Sequence, residues 1–295
     1  MSAFIAAVGF GLVTAAVLAI ASVGFTLQFG VTNVFNLAFG DTMTASAFIA
    51  YIVTQEGLGL WLAIVCGGLF GAGFSVLLNR VVYAPFIRRG TRLFGMIIVS
   101  IAVSLVMSNT MQAIWGANFF SLNIAPSPTV QWGPLVFTRI EIGMMGFSLV
   151  AMAIIHVLLR HTSLGRAMRA TATNAALARN CGIATDRVID AVWALSGLLC
   201  GLGGVALVLE VTSFSSNTGD EFIIPILAAA VLGGIGQPYG AMLGALVIGI
   251  ATETSAVVIS PQYKELVAFV ILIVVLLLRP QGILSEIAVQ KEVVV

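Results

Sequence analysis

Few residues in this 295-residue chain have the types and spacing to do chemistry. Two short blocks stand out. "FNLAFGDTM" (35–43) places Asn36, Gly40, Asp41 and Thr42 between residues 1–34 and 43–54, neither of which holds a charge. "NTGDEF" (217–222) places Asn217, Gly219 and Asp220 at the start of another apolar run. Amides and carboxylates inside apolar segments are expensive, which marks them as functional candidates. Each aspartate equally suits the N-terminal cap of a short helix, where free N–H groups and a partial positive charge favour an acid. Bond-breaking chemistry has no visible machinery. There is no HExxH, no GxSxG and no GxxxxGK[ST], so the chain cannot cradle nucleotide phosphates in the P-loop manner. Cys66, Cys181 and Cys200 lack metal or disulfide spacing. His156 and His161 lie at one end of a span, and Glu253 lies inside another, facing a cavity or a partner.

The elements that hold these blocks are membrane helices. The chain is 60% hydrophobic and 8% charged, with a mean hydropathy of +1.11. A soluble domain carries about 25% charged residues. An all-α polytopic membrane protein is therefore expected, as one domain over 1–295. Spans of about 20 apolar residues fall at 5–30, 41–54, 58–79, 93–115, 143–160, 188–209, 222–236, 240–259 and 263–279. Two are short, so eight to nine segments are expected. The apolar N-terminus lacks a basic leader region and reads as a retained first span. The net charge of +1 points to no nucleic-acid partner.

All 13 basic residues except Arg139 and Lys264 fall in loop 80–92, loop 160–187 or the C-terminal tail. The positive-inside rule places these in the cytoplasm, with the N-terminus outside and the C-terminus inside. The loops 116–142 and 210–221 are then external. Asp190 and Glu210 cap or end the span between them.

The two Gly-Asp blocks also suggest an inverted repeat with interrupted helices. Its halves run over about 1–115 and 188–284, joined by 143–160. Glycine-spaced helices follow each block, "GGLFGAGFSVLL" (67–78) and "GAMLGALVIGI" (240–250). Such glycines permit close helix approach. Broken helices of inverted repeats place transport sites near the membrane midplane.

The segment 161–187 is longer than a turn and rich in helix formers. Ser163 is expected to cap a helix, Arg166 and Arg169 share a face, and Gly182 ends it. The helix serves either to rest on lipid phosphates or to dock a cytoplasmic partner.

At this point the residues carry a resemblance. "TSLGRAMRATATNAALARNCGI" (162–183) resembles the cytoplasmic loop of the branched-chain amino acid ABC permease family, the Liv type. "FNLAFGDTM", "LAAAVLGGIGQPYGAMLGALVIG" (227–249) and "LLLRPQGIL" (276–284) are similar to further blocks of that family, in order. The resemblance implies one permease subunit of a binding-protein-dependent importer in the bacterial inner membrane. It implies a second, related permease subunit, two ATPase subunits and a periplasmic or lipid-anchored binding protein as partners, besides membrane lipids. ATP and Mg would be bound by the ATPases and no cofactor by this chain, which is then a transport subunit and not an enzyme. It assigns Gly165, Arg166, Arg169, Asn174, Ala178 and Gly182 to ATPase coupling, while the pathway role of the two Gly-Asp blocks rests on their polar residues at broken helices. The family's usual His and Glu are Phe39 and Asp41 here, so cargo stays open between branched-chain or related amino acids and urea or short amides. A secondary transporter or channel working without ATPases is the competing reading.

Overall fold

The computed structural model describes residues 2–122, 128–132, 135–279 and 282. Most of them are helical, because a backbone in lipid must satisfy its own N–H and C=O groups. The first half contains α1 (Ser2–Thr32), α2 (Phe39–Gln55), α3 (Leu60–Leu78) and α5 (Leu93–Trp115). A π turn (Asn79–Tyr83) and the short α4 (Ala84–Arg88) prolong α3. The middle holds α6 (Arg139–His161), α7 (Ser163–Thr173) and α8 (Ala175–Asn180). The second half holds α9 (Thr185–Val211), α10 (Thr218–Gly233), α11 (Pro238–Val258) and α12 (Lys264–Leu278).

Among the described residues, 7 helical stretches are long and apolar enough to cross a membrane. That is fewer than the eight to nine segments expected: the two segments expected to be short form α2 with 17 residues and α10 with 16, and neither is among the 7. The chain is not wholly helical. An antiparallel hairpin pairs β1 (Thr129–Trp132) with β2 (Leu135–Thr138) in the segment expected to be external. Thr138 then starts α6 with a capping box: its backbone N–H donates to Glu141 Oε2 at 2.6 Å, and Glu141 N–H donates to its hydroxyl at 3.2 Å.

Small residues decide how the helices meet, since apolar side chains gain little by leaving lipid for one another. In α1 and α11, Gly249 lies against the backbone of Ala15. In α3 and α9, Gly71 and Gly197 each lie against the other's carbonyl, and Gly201 lies against the Gly67 carbonyl. α10 and α11 meet where Gly233 faces Gly240 and Gly244 faces the Ala229 carbonyl. The glycine series therefore packs as its spacing foretells, with one exception. Gly73 has no atom near the position its Cβ would take.

α1 and α9 form the centre, flanked by α11 and α3. Phe25, Leu18, Ile20, Leu199 and Trp193 are fully buried there. Asp190 does not cap α9, which begins five residues earlier. It accepts from Arg80 at 2.8 Å and from Asn79 at 3.0 Å, tying α9 to the π turn after α3. The RPQG block of the tail and Lys291 lie outside the described residues, apart from Arg279 and Gly282.

Candidate functional site

Both Gly-Asp blocks begin helices that point their first turns at each other. Gly40 and Gly219 touch so closely that a Cβ on either would run into the other's carbonyl oxygen. The contact is closed by Thr44, whose Oγ1 accepts from Gly219 N–H at 2.8 Å. Gly219 would otherwise be one of the unpaired N–H groups at a helix start. So Gly40 and Gly219, 179 residues apart in sequence, form one crossing point.

The aspartates sit beside that crossing but do not cap their helices. Neither Ala38 nor Asn217, the capping positions of α2 and α10, makes a side-chain cap bond. Asp41 is buried and its Oδ2 accepts from Ser104 of α5 at 2.5 Å, while Oδ1 has no hydrogen-bond partner. The Asp220 carboxyl lies close enough to interact with it. A buried acid and a half-buried one therefore lie side by side at the crossing. Neither helix start has a side-chain cap bond, and the Asp41 carboxylate is held instead by Ser104 of the neighbouring α5.

The other pathway candidates separate. Thr42 is buried and donates to the Ala38 carbonyl at 2.9 Å. Asn36 is 2% exposed, and its Oδ1 accepts from the Tyr83 hydroxyl at 2.8 Å. The amide expected to face a path is thus packed in the interior. Asn217 is exposed and accepts from Ser108 at 3.4 Å.

A cavity of about 640 Å³ opens beside α10 at the hairpin end of the molecule. Glu141, Glu210, Glu221, Glu253, Glu265 and Lys264 line it. The Thr14 hydroxyl hydrogen-bonds Glu210 and lies 3.3 Å from Glu253 Oε1. Lys264 Nζ is 2.6 Å from the same Glu253 oxygen. Glu210 Oε2 is buried without a hydrogen-bond partner. The wall of this cavity is strongly acidic, and it suits a solute carrying an ammonium or amide N–H group. Glu253 faces it as the sequence foretells. Among the described residues, no cluster of His, Cys, Asp or Glu has the makings of a metal site.

At the opposite end, the expected single helix over 163–182 is two. Thr162, not Ser163, caps α7, accepting from Gly165 N–H at 3.1 Å. Asn174 leaves helical geometry and caps α8, accepting from Leu177 N–H at 3.0 Å. α8 ends in a Schellman turn: Ile183 N–H reaches the Ala178 carbonyl and Gly182 N–H the Arg179 carbonyl, both at 3.0 Å, with Gly182 at φ +86°. Gly165, Met168 and Thr171 face inward, while Arg166, Arg169, Asn174 and Leu177 are exposed. A Cβ at Gly165 would strike the carbonyls of Leu158 and Leu159. That glycine is required by packing within the chain itself.

A family model described as "Branched-chain amino acid transport system / permease component" matches residues 7–276. The chain belongs to this permease family. The high-affinity branched-chain amino acid transport system permease protein LivH of Escherichia coli (strain K12) is 29% identical to it, over 92% of each chain. BraD of Pseudomonas aeruginosa, a permease protein of the same kind of system, is 29% identical over 95% of each. In three dimensions it is similar to a chain of PsaBC from Streptococcus pneumoniae, with a TM-score of 0.50 at 14% identity, covering 96% of this chain and 94% of that one. That likeness shows the fold alone.

Sequence reasoning misses the acidic cavity of this permease almost entirely. Thr14, Glu141, Glu210, Glu253 and Lys264 come from five helices and share no motif. A signal did exist: a lone acid near the end of each of several apolar spans. Nothing in the sequence says that those ends converge.

Proposed function

We propose that this chain is the membrane-embedded permease subunit of a binding-protein-dependent ABC importer, carrying branched-chain or related amino acids inward. The family match over residues 7–276 carries the reading. The relatives LivH and BraD, permease proteins of branched-chain amino acid transport systems aligned over nine-tenths of their length, support the cargo class. The acidic cavity adds a physical reason, since its carboxylates attract the ammonium group of an amino acid.

In this reading the hairpin end is external and the arginine-rich end cytoplasmic, in the inner membrane, with the N-terminus outside. The chain makes and breaks no covalent bond. It has no P-loop, so ATP and Mg belong to two partner ATPases that act on α7 and α8. A periplasmic or lipid-anchored receptor delivers solute to the cavity, and a second, related permease subunit completes the assembly. The two halves act as an inverted repeat. Three features support that: the Gly40–Gly219 crossing, the exchange in which α1 packs on α11 while α9 packs on α3, and two left-handed non-glycine residues in matching places. Asn33 (φ +52°) precedes Asp41, and Thr212 (φ +62°) precedes Asp220, each by eight positions.

The coupling role is tested with Arg166→Glu. Arg166 is exposed and makes no ion pair among the described residues, so the substitution leaves the fold intact. ATP hydrolysis in the assembled transporter should lose its dependence on loaded receptor, and uptake should fall at least tenfold. Normal uptake and normal stimulation would remove α7 from the coupling role. Gentle purification of the tagged chain from native membranes provides the second check. Repeated absence of P-loop ATPases would favour a carrier that works alone.

A further inference from the structure

A second cavity, of about 560 Å³, lies at the arginine-rich end between α1, α6, α7 and the α10–α11 connection. Its chemistry is opposite to that of the acidic one. His156 and Arg160 of α6 and Arg169 of α7 contribute to its wall, and no Asp or Glu does. Arg169 donates to the Leu159 carbonyl, which fixes its guanidinium against α6. Arg160 has no acidic partner among the described residues. Thr26, fully buried, also lines the cavity, and its Oγ1 has no hydrogen-bond partner. A cationic cup with an unused hydroxyl is built to receive an anionic oxygen group.

The surroundings say where that group comes from. Leu149, Ala153, His156 and Arg160 recur at helical spacing and form one stripe of α6. Leu149 is 72% exposed, and Ala153 is exposed as well. The stripe thus runs from exposed aliphatic surface to the cationic cup. Tyr239 packs its ring 5.6 Å from that of His156, in the place of an interfacial aromatic residue. A soluble anion would need the cup alone. The aliphatic stripe leading into it fits acyl chains.

We propose that this cavity holds the phosphate headgroup of an anionic phospholipid, with its chains lying along α6 toward Leu149. Basic pockets between membrane helices attract such headgroups by charge. The lipid would bridge α6 and α7, and so fix the root of the arginine-rich helices.

The test uses the full chain in its assembled transporter, in nanodiscs of phosphatidylcholine containing a minority of phosphatidylglycerol with the same acyl chains. Native mass spectrometry after release should find phosphatidylglycerol retained in preference to phosphatidylcholine. Arg160→Gln should cut that preference about fivefold, and Arg160→Lys should keep most of it. Arg88→Gln, at the same end but away from the cavity, should leave it unchanged. Equal retention by wild type and Arg160→Gln overturns the assignment, and so does an equal loss in Arg88→Gln, which would signal general surface charge. Displacement of the lipid by millimolar inorganic phosphate would show a soluble-anion site and also refute it.

Discussion

The two broken regions, 33–38 and 212–217, follow the same plan and end in different states. Each follows a long central helix, turns on a left-handed non-glycine residue and leads into a Gly-Asp helix start. The first is sealed beyond its exposed turn residue, Asn33. Val34, Asn36 and Ala38 are buried, and Phe35 packs edge-on against Phe25 at 5.4 Å and Phe29 at 6.0 Å. The second is half open. Thr212, Ser213 and Asn217 are exposed, and Ser213, Ser215 and Thr218 line the acidic cavity. Phe214 anchors it through a bridge to Phe120 and a ring contact with Phe48 at 5.0 Å, and Ser216 donates to the Gly116 carbonyl at 3.0 Å. A transporter open to one side needs this asymmetry: equal folds, one break wet and the other plugged.

The difference is sharpest at the point the two regions share. Gly219→Leu should be the most damaging single change, because its side chain would enter the Gly40 backbone, which cannot move aside. Overpacking there should cost about 3 kcal/mol, read as loss of monodisperse protein and of thermal stability in detergent. Gly40→Leu should match it. Gly73→Leu, in an open position, should change neither. A tolerated Gly219→Leu would mean that the crossing is loose and the halves are free to part.

Next in size are changes that touch only one break. Glu210→Gln keeps the shape and removes a carboxylate from the wet side. Uptake by the reconstituted transporter should fall about tenfold, or about 1.4 kcal/mol of barrier, with no loss of folded protein. Phe35→Ala on the sealed side should act oppositely, raising receptor-independent ATP hydrolysis while uptake stays near normal. If both variants gave the same phenotype, the two breaks would not differ in function.

A third change probes why Asn36 is hidden. Tyr83→Phe removes the hydroxyl that its Oδ1 accepts from and leaves a buried acceptor unpaired. The expected loss is about 1 to 2 kcal/mol, visible as a lower melting temperature with transport rates retained. A large transport defect without a stability change would return Asn36 to the pathway.

These outcomes bear on what the sequence could reveal. The helical membrane class, the short lengths of α2 and α10, and the close approach of helices at glycines followed from composition and spacing, because lipid forces regular helices and small residues mark their contacts. The Gly-Asp blocks were legible as a pair. The asparagines misled: when Gly40 is aligned with Gly219, Asn36 falls opposite Ser215 and Asn217 opposite Ala38. Asn36 is buried against Tyr83, which a π turn after α3 brings inward, and no local pattern foretells that turn. The break at Asn174 was written locally, as a capping residue before Ala-Ala-Leu, but the alanine-rich composition around it reads as continuous helix. The acidic cavity needed the tertiary fold, since Thr14, Glu210, Glu253 and Lys264 meet only after α1, α9, α11 and α12 have packed.

The smallest expected effect concerns the turns themselves. Asn33 and Thr212 both hold positive φ, a region asparagine tolerates and a β-branched residue strains to enter. Glycine at either position relieves whatever strain is stored. Thr212→Gly should therefore stabilise the protein by about 1 kcal/mol, and Asn33→Gly by less, measured as shifts in melting temperature. Thr212 is exposed, so little packing is lost with its side chain. The strain lies on the wet side, next to Glu210 and the cavity. If Thr212→Gly raises the melting temperature and also slows uptake, the stored strain helps the second break to change state, and the sealed break, built on a relaxed asparagine, acts as its fixed counterpart.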